Sequence, residues 1–78
     1  MRTHEVSFDE AITVFEDPFF VIAADEDHSF EEKRFIILGK SNAGRLLVVA
    51  YAERGNDTRI ISARGATRKE SKNYEEEI

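Results

Sequence analysis

Residues 34–64 read RFIILGKSNAGRLLVVAYAERGNDTRIISAR, and this stretch decides the fold. Three runs rich in branched and aromatic residues, 34–40, 45–52 and 58–64, read as strands. Ser41-Asn42-Ala43-Gly44 and Arg54-Gly55-Asn56-Asp57 stand between them. Their asparagines and glycines are turn residues able to take positive φ. The stretch is therefore a run of three strands joined by short turns. Working outward, FFVIAA over 19–24 is a further strand, and the polar, acidic stretch 25–33 is a loop. Ser7-Phe8-Asp9-Glu10 is a capping box, with Phe8, Ala11, Ile12 and Phe15 at i, i+3, i+4 and i+7. A helix is expected over 8–16, stopped by Pro18. Past Gly65, Thr67-Arg68-Lys69-Glu70 is a second capping box. The helix it starts has only Tyr74 and Ile78 to bury, so it is expected to face solvent and fray. The predicted fold class is α+β: a four-stranded antiparallel meander flanked by an N-terminal and a C-terminal helix, in one domain spanning 1–78.

Alternation along the last strand puts Thr58, Ile60, Ser62 and Arg64 on one face and Arg59, Ile61 and Ala63 on the other. The second and third strands are apolar on both faces. Such a sheet wants cover on both sides, and one short amphipathic helix supplies one. The remaining apolar face is expected to be an interface.

At 78 residues the core is small, and there is no cysteine to staple it. A second chain is the most available support. Hydrophobic residues at 41% and charged ones at 35% are a globular balance, not a disordered one. No apolar run approaches the ~20 residues of a membrane span, and MRTHEVSFDE lacks the apolar centre of a signal peptide. The expected compartment is the cytoplasm. The net charge of −5 conceals an asymmetry: 1–33 carry −8, 34–73 carry +6 and the tail −3. A basic half inside an acidic chain keeps phosphate-bearing partners open.

Few chemistries fit. His4 and His28 stand in no ligand-spaced cluster, and Asp25-Glu26-Asp27 lacks the alternation and glycine of a calcium loop, so no metal is expected. There is no phosphate-cradling glycine loop and no nucleophile elbow. What remains is arginine: Arg54, Arg59, Arg64 and Arg68 lie on or beside the last strand and the helix after it. The guanidinium fork matches phosphate oxygens. RNA cleavage without a metal needs a base for the 2′-hydroxyl, cations for the phosphorane and an acid for the leaving oxygen. Glu53 or His4 is the candidate base, Arg59 and Arg64 the stabilisers, and Tyr74 or His4 the acid. Arg54, Arg68 and Lys69 are candidates for the RNA backbone. The arginines are expected to gather at one end of the final strand.

These residues resemble BrnT-type toxins, the ribonuclease half of a bacterial type II toxin–antitoxin pair. The likeness is carried by Val6-Ser7-Phe8-Asp9-Glu10-Ala11 through Pro18, by RFIILG over 34–39, and by Glu53-Arg54-Gly55, RIISAR over 59–64, Ala66-Thr67-Arg68, Glu70 and Tyr74. The resemblance implies a RelE-like fold and RNA cleavage without a cofactor. It also implies a ribbon-helix-helix antitoxin as partner, a homodimeric or heterotetrameric complex, and operator DNA bound only through the antitoxin. Against the family pattern this chain is expected to lack an initial strand, and Gly65 stands where a basic residue is usual. His4 is retained while its neighbours Thr3 and Glu5 differ. Two other readings follow from the residues: a non-catalytic module that holds an antitoxin or a copy of itself, and a plain nucleic-acid-binding domain.

Overall fold

The computed structural model describes residues 2–3, 6–24 and 32–77. The element order is β1 (Arg2–Thr3), β2 (Val6–Ser7), α1 (Phe8–Thr13), a 3-10 turn (Val14–Glu16), β3 (Val21–Ala24), β4 (Lys33–Lys40), β5 (Leu46–Arg54), β6 (Asp57–Gly65) and α2 (Arg68–Glu77). The architecture is α+β. β3-β4-β5-β6 form one antiparallel sheet in chain order, as the turns between the apolar runs require. β1 and β2 add a small antiparallel ladder not anticipated from the sequence. Gly44 and Gly55 take φ of 80° and 61°, which side-chain-bearing residues adopt only with strain.

α1 is shorter than its periodicity suggests, and of the expected face Ala11 and Phe15 turn toward the core while Phe8 and Ile12 do not. Ser7 Oγ accepts the Glu10 N–H at 3.1 Å, which is half of the capping box. The Glu10 carboxylate does not return to Ser7. It takes the Ser41 hydroxyl at 2.6 Å and the Arg45 Nε–H at 2.9 Å instead. The Asn42 N–H donates to Thr13 Oγ1 at 2.9 Å. These bonds fasten α1 to the β4–β5 turn and fix its rotation. Ala11 and Val14 are buried, whereas Phe8 and Ile12 remain exposed. They form the core with Val6, Ile37, Leu47, Val49, Tyr51, Ile60 and Ala63. Tyr51 is its aromatic centre, edge-on to Phe15 at 4.9 Å and stacked on Phe35 at 5.4 Å.

β3 starts two residues later than the apolar run. The Asp17 carboxylate accepts the Phe19 N–H at 2.9 Å, an Asx turn that holds Phe19 and Phe20 out of the ladder. The other Asp17 oxygen accepts the Lys40 N–H at 2.8 Å and the Tyr74 hydroxyl at 2.6 Å. Tyr74 is 3% exposed, so α2 is anchored, in correction of the expectation that it fray. Its capping box is complete: Thr67 Oγ1 accepts the Glu70 N–H at 3.2 Å and Glu70 Oε1 accepts the Thr67 N–H at 2.8 Å. α2 contacts β4, so the sheet has helices before and after it in sequence.

The 3-10 turn lies tight against β4 at position 39, which is glycine. A Cβ there would stand 3.0 Å from Val14 Cγ1, 3.2 Å from Asp17 Oδ2 and 3.3 Å from Phe20 Cβ. At Gly65 a Cβ would meet nothing within 4 Å. Gly39→Ala is therefore expected to lower stability in urea unfolding by about 1–3 kcal/mol. Gly65→Ala should stay within about 0.5 kcal/mol of the parent. Equal effects at the two positions would refute this account of Gly39.

Candidate functional site

The arginines are gathered by a register shift. Along β5 and β6, Val48 pairs with Arg64, Val49 with Ala63, and Ala50 with Ser62. Tyr51 then pairs with Ile60 and Ala52 with Arg59, leaving Ile61 as an extra residue. Such a bulge resets the alternation of side chains. Residues directly paired share a face, so Arg59, with Ala52, joins Ser62 and Arg64 on one side of the sheet. The strict alternation read from the sequence, which separates Arg59 from Arg64, is corrected here. By the same pairing Arg34 lies across Ala52 from Arg59, and Arg54 follows Ala52 on the same face.

The arginines share a face but not an end of the strand. Arg59 and Arg64 pair with Ala52 and Val48, four residues apart on β5, or about 13 Å. The expected single pocket at one end is therefore corrected to a row. Each end of the row holds a carboxylate. Glu32 Oε1 accepts the Arg59 Nη2–H at 2.9 Å and lies 3.6 Å from Arg34 Nη2. Arg64 forms a bidentate pair with Glu70, at 2.8 and 2.7 Å, and donates to the Gly65 carbonyl at 3.1 Å. Those three bonds leave two of the five guanidinium hydrogens of Arg64 unused among the described residues. Arg68 and Lys69 are exposed in the first turn of α2, beside Glu70. Arg54 is exposed at the β5–β6 hairpin.

The proton-transfer candidates do not converge on this row. Glu53 pairs with Thr58 on the opposite face, where both line an apolar groove with Phe8, Ile12, Tyr51 and Ile60. Tyr74 donates to Asp17 at the Lys40 end of β4, far along the strand from Arg34. Burial first, then the Asp17 hydrogen bond and charge, push the Tyr74 phenol up to about 12. Burial also pushes the Asp17 carboxyl up, but the Lys40, Tyr74 and Phe19 hydrogen bonds outweigh it and hold the group below its ordinary value. His4 lies outside the described residues. Among the described residues no three His, Cys, Asp or Glu side chains are grouped to hold a metal ion. No helix among them is long and apolar enough to cross a membrane. Sequence reasoning missed Glu32 and Arg34 as members of the site. The signal was weak: Arg34 stands on the neighbouring strand, and only the register brings it to Arg59.

The ion pairs make stability depend on pH. Hydrogen bonds from Arg64, against the opposing effect of burial, hold the Glu70 carboxyl at about 2, below its ordinary 4.5. Arg45 and then Ser41 hold Glu10 at about 2 from the same starting value. A depressed folded value stabilises above the unfolded value, and that contribution is lost as pH falls from about 4.5 toward 2. Glu70→Gln is expected to lower the thermal midpoint at pH 7 by about 4–8 °C, on the order of 1 kcal/mol. The partial exposure of Arg64 keeps the effect that small. The gap to the parent should close as pH approaches 2, followed by circular dichroism. A gap that persists at pH 2 would show that the charge is not its cause.

The sequence was compared with known proteins. No curated protein matches the chain. The family model of the ribonuclease toxin BrnT of type II toxin–antitoxin systems matches residues 1–70, which takes in β1 through the first turn of α2 and every arginine of the row. The chain belongs to the BrnT family of ribonuclease toxins of type II toxin–antitoxin systems.

Proposed function

We propose that this chain is a metal-independent endoribonuclease of RelE-like fold that cleaves unstructured or ribosome-presented RNA and so inhibits growth. The observation that carries the reading is the arginine row, assembled on one sheet face by the Ile61 bulge. Arg59 is the more accessible of the two central cations, with a side chain 68% exposed against 39% for Arg64. It is assigned the charge that builds on the phosphorane. Arg64, oriented by Glu70, offers its two remaining hydrogens to a neighbouring phosphate, and Arg54, Arg68 and Lys69 steer the backbone. Of the proton-transfer candidates, Glu53 faces away from the row and the Tyr74 hydroxyl is committed to Asp17. We therefore assign both proton transfers to His4, whose imidazole can accept and donate a proton.

The partner is a ribbon-helix-helix antitoxin in a homodimeric or heterotetrameric cytoplasmic complex that reaches operator DNA only through the antitoxin. A second reading, a non-catalytic module that holds the antitoxin or a copy of itself, is favoured by the exposed Phe8, Ile12, Phe19, Phe20 and Ile22.

The test is cleavage of an unstructured RNA in excess chelator. The parent should cut. His4→Ala should lose about 10²–10⁴-fold in rate. Arg59→Ala should lose about 10²–10³-fold. RNA left intact by the parent at toxin-like amounts would overturn the enzyme reading. Light scattering that then shows a complex with the neighbouring gene product would leave the binding module in its place.

A further inference from the structure

Arg34, Ala52 and Arg59 stand side by side across β4, β5 and β6 on the arginine face. The middle residue is alanine, so no long side chain separates the two guanidinium groups. Both are directed to a single atom, Glu32 Oε1, at 3.6 Å from Arg34 and 2.9 Å from Arg59. Glu32, Ala52, Arg54, Asp57 and Arg59 line a cavity of about 160 Å³, and Arg34 pairs with Ala52 from the neighbouring strand. Within it the Glu32 side chain is tucked away at 16% exposure, while Arg59 stands out into solvent. Glu32 immediately precedes β4, outside the ladder, so its carboxylate can leave the cavity without breaking a pair of the sheet.

A carboxylate and a phosphodiester are alike in what a guanidinium meets: one negative charge shared between two planar-accessible oxygens. Arg34 and Arg59 approach such a charge from two strands, and the cavity opens beside Arg59. We propose that the Arg34–Ala52–Arg59 cradle is a phosphodiester-binding subsite, and that Glu32 is a resident carboxylate which an RNA phosphate must displace. The inference rests on reading the chain as a protein that acts on RNA, and it names one subsite of that surface and its built-in competitor. Glu32 keeps the cradle ordered and offsets one of its two positive charges when no RNA is present, and it sets a threshold on affinity. The bulge at Ile61 is essential to it, since without the shift Arg59 would point to the far side of the sheet.

The probe is a short 2′-O-methyl oligouridylate, which cannot be cleaved through a 2′-hydroxyl, titrated by fluorescence anisotropy at several salt concentrations. Glu32→Gln keeps the side-chain length and removes the charge. It is expected to tighten binding ~2–5-fold, the scale of one partly exposed ion pair. Arg59→Ala should weaken binding and reduce the salt slope by about one unit. Arg34→Lys, which keeps the charge but not the fork, should weaken it as well. The decisive comparison is the double variant: in the Arg59→Ala background Glu32→Gln should change affinity less than about twofold, because the competitor then has no cradle to occupy. Unfolding midpoints of all variants confirm that each is folded.

A Glu32→Gln effect of equal size with and without Arg59 would overturn the proposal, because it would mark only a general loss of negative charge. Absence of binding by both the parent and Glu32→Gln would overturn it too. The outcome is separable from the ribonuclease reading. Tighter binding by Glu32→Gln without cleavage of natural RNA by the parent leaves the subsite standing and removes the enzyme. Cleavage by the parent with no effect of Glu32→Gln on the probe does the reverse.

Discussion

The Asp17 carboxylate holds the molecule together. It receives the Phe19 amide, the Lys40 amide and the Tyr74 hydroxyl, three donors from three parts of the chain. One bond shapes the turn into β3, one fixes the end of β4, and one ties down α2. The geometry that allows all three is the near contact between the 3-10 turn and β4, where Gly39 has no side chain to crowd it. α2 has little apolar surface of its own, and helices of this length are marginal without tertiary support. Its persistence rests on Tyr74 at one side and the Glu70–Arg64 pair at the other.

The parts of this fold that were legible in the sequence are those fixed by neighbours in the chain. Strand runs, the glycine turns at 44 and 55, and the Thr67–Glu70 box depend on residues a few positions apart, and the structure contains them. Where sequence reading fails, a distant partner decides. Glu10 belongs by pattern to its own capping box, yet a charged partner across the β4–β5 turn takes it. A carboxylate gains more from a guanidinium, charge against charge, than from an uncharged backbone N–H. That choice sets α1 so that Ala11 of the expected stripe is buried together with Val14, while Phe8 and Ile12 of the same stripe stay exposed. The bulge at Ile61 is a further case. Nothing in RIISAR announces an extra residue, and one residue of slip reverses every side chain beyond it. The candidate site was thus half legible: the arginines were visible, but their common face was not.

The charge asymmetry of the chain takes on a different meaning once folded. Acids from the N-terminal part reach bases of the C-terminal part: Glu10 pairs with Arg45, and Glu32 lies between Arg34 and Arg59. The +6 region is therefore not a bare cationic field, and its long-range pull on phosphates is reduced by its own chain. At the proposed Arg34–Arg59 cradle, recognition proceeds by exchange, one anion for another, at close range. Exchange depends on geometry more than on net charge, which fits an acidic protein acting on an acidic polymer.

The two ends of the arginine row are held with unequal firmness, and the difference sorts their roles. Glu70 is fixed by the amide of Thr67 and the cap of its own helix as well as by Arg64. Releasing it would cost α2 its N-terminus. Arg64 is consequently a structural cation first, with two hydrogens unused among the described residues. Glu32 has no such helix to cap, and it stands outside the sheet ladder. An incoming phosphate therefore gains more easily at Arg59 than at Arg64, although both lie on one face. Stability is concentrated at the α2 end of the row and exchange at the Arg59 end, a division that lets a 78-residue chain spend part of its surface on binding without loosening its small core.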